Sequence, residues 1–287
     1  MKILIIGDIV GRPGRRIVRK WVPILRKEWD LDLVIANAEN SAAGSGITHK
    51  IFRDLRSCGI DVMTMGDHSW KRRDNIEVFE KEELLLRPQN YPLEAVGKGV
   101  ITIEARGDVP VGLVVVLGRV FMDGGDCPFH CVDRALESFS DDVRVRIVEF
   151  HGEATSEKTA AGWHLDGRIS CLFGTHTHIP TADARVLPQG TAYITDIGMT
   201  GPYDGVIGRM AKPVLHKFIT GMHAPFSVAE ENPHLCGILL EVDPSTGKAL
   251  SVKPVDVIDD ESVQFCHEVL DGGGLEVPEG DGEASSA

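Results

Sequence analysis

Short aliphatic runs recur along the first part of the chain, and each is followed by a turn or by apolar residues at helical spacing. Residues 2–7 form the first run, and the apolar positions within 17–25 have the spacing of an amphipathic helix. The second run, residues 31–36, leads into a glycine-rich turn, after which Thr48 is placed to cap a helix. A third run covers 61–65. This alternation predicts an α/β fold with a mixed or largely parallel central sheet.

The same alternation continues through the middle of the chain. Further strands are predicted at residues 100–104, 111–117, 143–150, 169–173 and 192–196. Helices are predicted within 132–139 and 155–163, and residues 198–208 are predicted to form a glycine-containing loop. Residues 235–242 and 250–257 are predicted to pair around a turn, which favours a second sheet layer.

The end of the chain differs in composition from the rest. From residue 271 onward it has five acidic residues, no basic residue and almost no large apolar side chain. Such a segment cannot bury enough apolar surface to fold by itself. We therefore predict one domain over residues 1–262 and an acidic, Gly-rich, disordered C-terminal tail over 263–287.

Charge and cysteine usage limit the class of protein. The formal net charge of -13 argues against general binding to a nucleic-acid backbone, although a local basic patch stays open. The first apolar run is too short for a signal peptide, and no later run approaches the roughly 20 residues of a membrane span. We expect a cytoplasmic protein with no membrane partner. The six cysteines are scattered without the spacing of a disulfide framework, and they are Cys58, Cys127, Cys131, Cys171, Cys236 and Cys266.

Side chains that bind metals follow five of the aliphatic runs. They are Asp8, Glu39, Asn40, Asp67, His68, His151, His176 and His178. The carboxyl ends of neighbouring strands lie along one edge of an α/β sheet, so we expect these groups to converge. In extended backbone His176 and His178 would project to the same side. Carboxylate, amide and imidazole groups are the ligands expected for Mn, Fe, Zn or Mg. The set contains no cysteine, which argues against a structural zinc site with thiolate ligands. Eight groups are too many for one ion.

Each of these residues also has a structural interpretation. Asp8 could cap the following turn, Glu39 and Asn40 could order the glycine-rich loop, and His68 or His151 could be a hydrogen-bonded core histidine. The repeated placement at strand ends favours a shared metal site over independent structural roles.

Three other segments have more than one interpretation. Residues 127–131, CPFHC, lack a second metal-binding pair and are interpreted as an incidental loop. Residues 71–73, KRR, are interpreted as a solvated helical face, with contact to a substrate phosphate as the alternative. The loop containing Thr200, Gly201, Tyr203 and Asp204 either lines a cleft, with Tyr203 stacked on a base, or forms a structural turn.

Five segments together carry a family resemblance. The chain resembles the YmdB-type branch of the calcineurin-like metallophosphoesterases over roughly residues 1–260, and the block from His151 to Gly208 is the most specific part. The segments are GDIVGRPGRR, NAENSAAGSGIT, TMGDHSW, HGEATSEKTAAGWHLDGR and GTHTHIPTADARVLPQGTAYITDIGMTGPYDGVIG.

The resemblance implies a fold, a cofactor and a reaction. It implies a four-layer α/β/β/α sandwich with a mixed central sheet, a site for two metal ions, most expected to be Fe or Mn, and hydrolysis of phosphodiesters including 2',3'- or 3',5'-cyclic nucleotides. The attacking group would be a hydroxide held between the ions. RNA remains a further candidate substrate, and homo-oligomer formation is left open.

The resemblance also implies a role for each site residue. Asp8, Asn40 and His178 would hold the first ion with Glu39, which bridges to the second. Asp67, His151 and His176 would complete the second ion's ligands, and His68 would be the proton donor. The commoner family pattern has asparagine where this chain has Asp67. The alternative functions are a phosphomonoesterase or RNA-cleaving nuclease on the same metals, or a regulatory protein with a structural metal site.

Overall fold

The computed structural model describes residues 1–258 and 263–265. The strands, in chain order, are β1 (Lys2–Ile6), β2 (Asp8–Ile9), β3 (Leu33–Asn37), β4 (Val62–Thr64), β5 (Leu85–Leu86), β6 (Val100–Ala105), β7 (Val109–Leu117), β8 (Val145–His151), β9 (Cys171–Thr175), β10 (Arg185–Val186), β11 (Ala192–Ile194), β12 (Met199–Pro202), β13 (Pro233–Val242), β14 (Ala249–Ile258) and β15 (Val263–Phe265). The helices are α1 (Gly11–Glu28), α2 (His49–Ser57), α3 (Arg73–Lys81), α4 (Pro128–Glu137), α5 (Thr155–Leu165) and α6 (Ala211–Thr220), with a short 3-10 helix at Asp67–Trp70.

The strands form two mixed sheets. The first has the order β15-β14-β13-β1-β3-β4-β5, with β12 pairing to both β13 and β2. Within it β1, β3, β4 and β5 run parallel, whereas β13 and β14 are antiparallel to their neighbours. The second has the order β10-β11-β9-β8-β7-β6, and β7, β8, β9 and β11 run parallel. The carboxyl ends of the parallel strands are therefore available to build a site.

Three apolar clusters hold the layers together. The inner faces of the two sheets meet in one cluster that includes Ile35 and Phe173. Helices α1, α2 and α3 cover the outer face of the first sheet, where Trp21 packs. Helices α4 and α5 cover the second sheet through a third cluster that includes Leu136 and Leu165. The arrangement confirms the predicted four-layer α/β/β/α sandwich.

Most predicted elements are found close to their expected positions. Thr48 caps α2 as predicted, because its Oγ1 accepts a hydrogen bond from the Ile51 backbone N–H at 3.3 Å. The predicted loop over 198–208 is wrong in part, since β12 lies within it. The CPFHC segment is not a loop either: Pro128 begins α4, and Cys131 packs in the core.

The structure covers little of the predicted C-terminal tail. The predicted tail lies outside the described residues apart from Val263–Phe265, which pairs with β14. The predicted domain boundary at residue 262 lies outside them as well. None of the helices within residues 1–258 is long and apolar enough to cross a membrane.

Candidate metal centre

The structure brings the predicted metal-binding groups together at one edge of the sandwich. Each lies at the carboxyl end of a parallel strand: Asp8 after β1, Glu39 and Asn40 after β3, Asp67 and His68 after β4, His151 at the end of β8, and His176 and His178 after β9. The first three strands belong to one sheet and the last two to the other. Since the sheets face each other, their strand ends meet at a common site.

Four side chains form the tighter part of this cluster. Glu39, Asp67, His151 and His176 each offer one nitrogen or oxygen, and these four atoms all lie within 4.8 Å of one another. His151 Nε2 is 3.1 Å from Asp67 Oδ1 and 3.1 Å from His176 Nδ1. Glu39 Oε2 is 3.5 Å from His151 Nε2. Two imidazoles and two carboxylates at these separations could hold one cation.

The remaining groups lie on the other side of Glu39. Asn40 Nδ2 is 3.1 Å from Glu39 Oε1 and 3.2 Å from His178 Nε2. His178 Nε2 is 4.0 Å from Asp8 Oδ1. Glu39 thus presents one carboxylate oxygen to each group. The amide nitrogen of Asn40 faces His178, so an oxygen ligand from Asn40 requires a half-turn of its amide.

The predicted extended geometry of the histidine pair is wrong. Strand β9 ends at Thr175, and His176 and His178 have positive φ angles of 96° and 67°. Such backbone costs on the order of 1–3 kcal/mol per non-glycine residue, so surrounding contacts must hold the loop. The two imidazoles do not point to one spot. His176 joins His151, whereas His178 lies beside Asn40.

Burial controls the protonation of the cluster. Burial, reinforced by the nearby Asp196 carboxylate, raises the pKa of Asp8 to about 7. Burial and the carboxylates of Asp67 and Asp8 raise the pKa of Glu39 well above its usual range. Burial also lowers the pKa of His151 to about 4, which favours a neutral ring. A bound cation would favour the ionised form of both acids and would complement the neutral imidazole.

The environment of the Asp8 carboxylate indicates that the residues of the cluster could bind a cation. Its Oδ1 is buried, and no hydrogen-bond donor reaches it from the part of the chain that the structure describes. A buried carboxylate oxygen without a partner costs free energy unless a proton or a cation satisfies it. Its neighbours are the carboxylate, amide and imidazole groups that bind Mn, Fe, Zn and Mg.

A buried hydrogen-bond network orients the cluster from below. The Thr175 hydroxyl donates to Glu149 Oε1 at 2.8 Å, so it must accept from His151 Nδ1, 2.9 Å away. That bond leaves the lone pair of His151 Nε2 facing the cluster. Asn37 Nδ2 donates to the same Glu149 oxygen at 2.7 Å, and Asn37 Oδ1 accepts from the Glu39 backbone N–H at 3.0 Å. The network therefore links a ligand-type group on each sheet.

A cleft of about 440 Å³ opens above the cluster. His68, whose side chain is 23% exposed, lies on one wall, and Ile207 and Arg209 lie on another. Arg209 is held in place because it donates to the backbone carbonyls of Ala43 and Gly44. A fixed guanidinium at the mouth of the cleft favours anionic ligands.

The structure bears on the interpretation of two surface segments. Tyr203 does not line the cleft: its ring packs against His234 with the centroids 4.3 Å apart. The structural interpretation of this turn is therefore the better one. The residues Lys71, Arg72 and Arg73 are exposed, as predicted, but only Arg73 lies within α3, and contact with a substrate phosphate stays an alternative.

Sequence analysis missed the buried polar residues that support the site. Glu149, Lys158 and Asp196 are all fully buried, and Lys158 pairs with Asp196. Glu149 lies between the apolar residues Val148 and Phe150 in β8, so a charged residue at a core position was the available signal. Lys158 and Asp196 gave no comparable signal, because nothing local shows that either side chain is buried.

Comparison with known proteins places the chain in a family. A family model described as YmdB-like protein matches residues 4–255. The chain belongs to this family. A relative of this YmdB-like protein, named 2',3'-cyclic-nucleotide 2'-phosphodiesterase, from Bacillus subtilis (strain 168), is 41% identical over 260 residues. The match covers 91% of this chain and 98% of the relative.

Solved structures agree with this assignment. A crystal structure of a hypothetical protein from Thermus thermophilus superposes on this YmdB-like protein with a TM-score of 0.85 and 40% identity, covering 90% of this chain and 99% of the other. A structure described as a novel phosphatase from Mycoplasma pneumoniae gives a TM-score of 0.84 and 32% identity, covering 90% and 93%. The family and the fold implied by the sequence motifs are confirmed.

Proposed function

We propose that this YmdB-like protein is a metal-dependent phosphodiesterase that hydrolyses small phosphodiesters, including cyclic nucleotides. The observation that carries the proposal is the position of Glu39 between two groups of ligand-type side chains beneath an open cleft. The name of the Bacillus subtilis relative supports 2',3'-cyclic nucleotides as the first substrates to test.

The two groups suit two divalent ions that share Glu39. Asp8, Asn40 and His178 would complete one ligand set, and the other would be completed by Asp67, His151 and His176. Such ions supply charge neutralisation for the phosphodiester and a water activated for attack on phosphorus. Fe and Mn match the mixture of imidazole and oxygen ligands, and Zn and Mg are compatible with it.

His68 is placed to protonate the leaving group. Its Nδ1 is 2.8 Å from Asn40 Oδ1. In the imidazolium form Nδ1 donates to that oxygen, and Nε2 carries a second proton that can be given to the departing alkoxide, which leaves a neutral ring. Arg209 would bind a phosphate or a leaving nucleotide at the mouth of the cleft.

A substrate panel tests the proposal. Protein reconstituted with Mn²⁺ or Fe²⁺ is assayed on a 2',3'-cyclic nucleotide, a 3',5'-cyclic nucleotide, a simple bis-ester, a monoester and an RNA oligonucleotide. We expect hydrolysis of the diesters and its loss in Glu39→Gln. Preference for the monoester would favour a phosphomonoesterase, and preference for RNA would favour a nuclease. Metal-loaded protein inert on all five would favour the regulatory alternative.

A further inference from the structure

We propose that His234, Cys236 and Asp256 form a separate binding site for one zinc-type divalent cation. His234 and Cys236 lie two residues apart on β13, and Asp256 is the cross-strand partner of Cys236 on β14. Alternate residues of a strand point to the same face, so the three side chains meet on one face of the sheet. This site shares no residue with the cluster at the parallel strand ends.

The ligand atoms are already close to coordination distance from one another. His234 Nδ1 is 2.8 Å from Asp256 Oδ1, Cys236 Sγ is 3.6 Å from the same oxygen, and the three atoms lie within 4.8 Å of one another. Tetrahedral zinc with bonds of about 2.0–2.3 Å separates its ligand atoms by about 3.3–3.7 Å. The sulfur–oxygen distance matches this range, and the nitrogen–oxygen pair must open by about 0.5 Å.

The hydrogen bonds around His234 favour the tautomer that binds metal. Asn232 Nδ2 donates to Asp204 Oδ1 at 3.2 Å, which leaves Asn232 Oδ1 to face His234 Nε2 at 3.1 Å. That oxygen is an acceptor, so Nε2 must carry a proton. In the neutral ring the lone pair of Nδ1 then points at the carboxylate of Asp256. Two acceptors 2.8 Å apart require a proton or a metal ion between them.

The surroundings suit a thiolate ligand with an open coordination position. The Tyr203 hydroxyl is 3.0 Å from Cys236 Sγ and also 3.2 Å from the Met199 carbonyl, to which it donates, so its proton would have to turn toward the sulfur to support a thiolate there. A cavity of about 140 Å³ borders Cys236 and Asp256 and has room for a water as the fourth ligand. The side chains of His234 and Asp256 are 12% and 23% exposed, which gives an ion access from solvent. Binding releases the thiol proton, and any proton shared by His234 and Asp256, to solvent.

The site is joined to the strand that carries Asp8. The backbone carbonyl of Cys236 accepts hydrogen bonds from the Gly7 N–H at 2.9 Å and from Thr200 Oγ1 at 3.1 Å. Gly7 directly precedes Asp8. A cation bound by β13 and β14 would therefore stiffen the backbone beside the candidate metal centre without supplying a ligand to it.

Cobalt distinguishes this site from the candidate metal centre. The full-length protein is stripped with a chelator and titrated with Co²⁺, whose bond to a thiolate gives charge-transfer absorption in the near ultraviolet. The side chains proposed for the other centre include no cysteine, so only a thiolate site produces this absorption. At saturation we expect the intensity of the band to correspond to one thiolate-bound Co²⁺ per chain, whatever the uptake at the other centre, and we expect the band to disappear when Zn²⁺ is added.

Variants locate the band. Cys236→Ser should abolish the band. The double variant Cys127→Ser, Cys131→Ser is the matched control at cysteines outside the proposed site, and it should leave the band intact. His234→Gln and Asp256→Asn, which keep Cys236, should each weaken Co²⁺ binding at the band by at least about tenfold. Circular dichroism establishes that each variant is folded. Absence of the band in the wild-type protein, or its survival in folded Cys236→Ser, would overturn the proposal. If Cys236→Ser does not fold, unchanged affinity in both other variants would overturn it equally.

Discussion

Lys158 donates a hydrogen bond to Asp196 Oδ2 at 2.8 Å, and both side chains are completely inaccessible to solvent. Lys158 also donates to the Thr175 backbone carbonyl at 2.8 Å, and Asp196 Oδ2 accepts from the Thr177 N–H at 3.1 Å. The ion pair therefore holds the chain on both sides of His176. This contact explains how a loop with two positive φ angles remains in place beside the cluster.

Lys158→Met should strongly destabilise the fold. It leaves the Asp196 carboxylate buried without its cation, and breaking a buried pair in this way costs about 3–5 kcal/mol of the free energy of unfolding. Urea denaturation measures the loss. Lys158→Met combined with Asp196→Asn should cost less than Lys158→Met alone, because no unpaired charge remains.

An exposed ion pair provides the matched control for that experiment. Lys81 lies 2.5 Å from Glu77 on the surface of α3. Lys81→Met should leave the urea midpoint unchanged within error, because exposed pairs contribute little. Equal midpoints for Lys158→Met and wild type would contradict the role given to the buried pair.

Thr175→Val should weaken metal binding without removing any proposed ligand. The substitution keeps the shape of the side chain but takes away the acceptor of His151 Nδ1. Loss of such a supporting hydrogen bond typically lowers metal affinity by about 10–100-fold. Competition with a chromophoric chelator measures the affinity. Thr175→Ser retains the hydroxyl and should stay close to wild type, so equal losses in both variants would count against this explanation.

His68→Ala should separate catalysis from metal binding. Removal of a general acid typically lowers turnover by about 10²- to 10⁴-fold, whereas metal content should not change. Steady-state kinetics and elemental analysis on the same sample test both statements.

His178→Ala, by contrast, should lower the metal content. Full activity in His68→Ala would exclude it as the proton donor, and full metal occupancy in His178→Ala would exclude that residue as a ligand.

Asp67→Asn, which removes the charge and keeps the shape of the side chain, should change metal affinity. Asp67 Oδ1 lies 3.1 Å from His151 Nε2 and 3.3 Å from His176 Nδ1, so its charge would act directly on a cation there. We expect the variant to bind its second divalent ion at least about tenfold more weakly, which is about 1.4 kcal/mol. Isothermal titration with Mn²⁺ measures this change. The control is Asp74→Asn, which removes an exposed carboxylate on α3. Equal affinities in Asp67→Asn and wild type would show that the charge at position 67 does not affect the bound ion.

The sequence by itself indicated most of the longer strands and helices, because apolar periodicity and turn residues are local properties, but it did not indicate α6 and it predicted a loop where β12 lies. It also indicated which side chains gather: acidic, amide and imidazole groups follow parallel strands, whose carboxyl ends share one edge. Asp8 and His178 are 170 positions apart in number, yet both could be named from their place after a strand.

Only the tertiary structure decided how those groups are divided and supported. The left-handed backbone of His176 and His178 sends the two rings to different ligand groups, and this geometry is set by the buried Lys158–Asp196 pair. The site at His234, Cys236 and Asp256 likewise depends on the register of β13 against β14. These features arise from contacts between residues distant in the chain, and the burial that gives such contacts their strength exists only once the layers have packed.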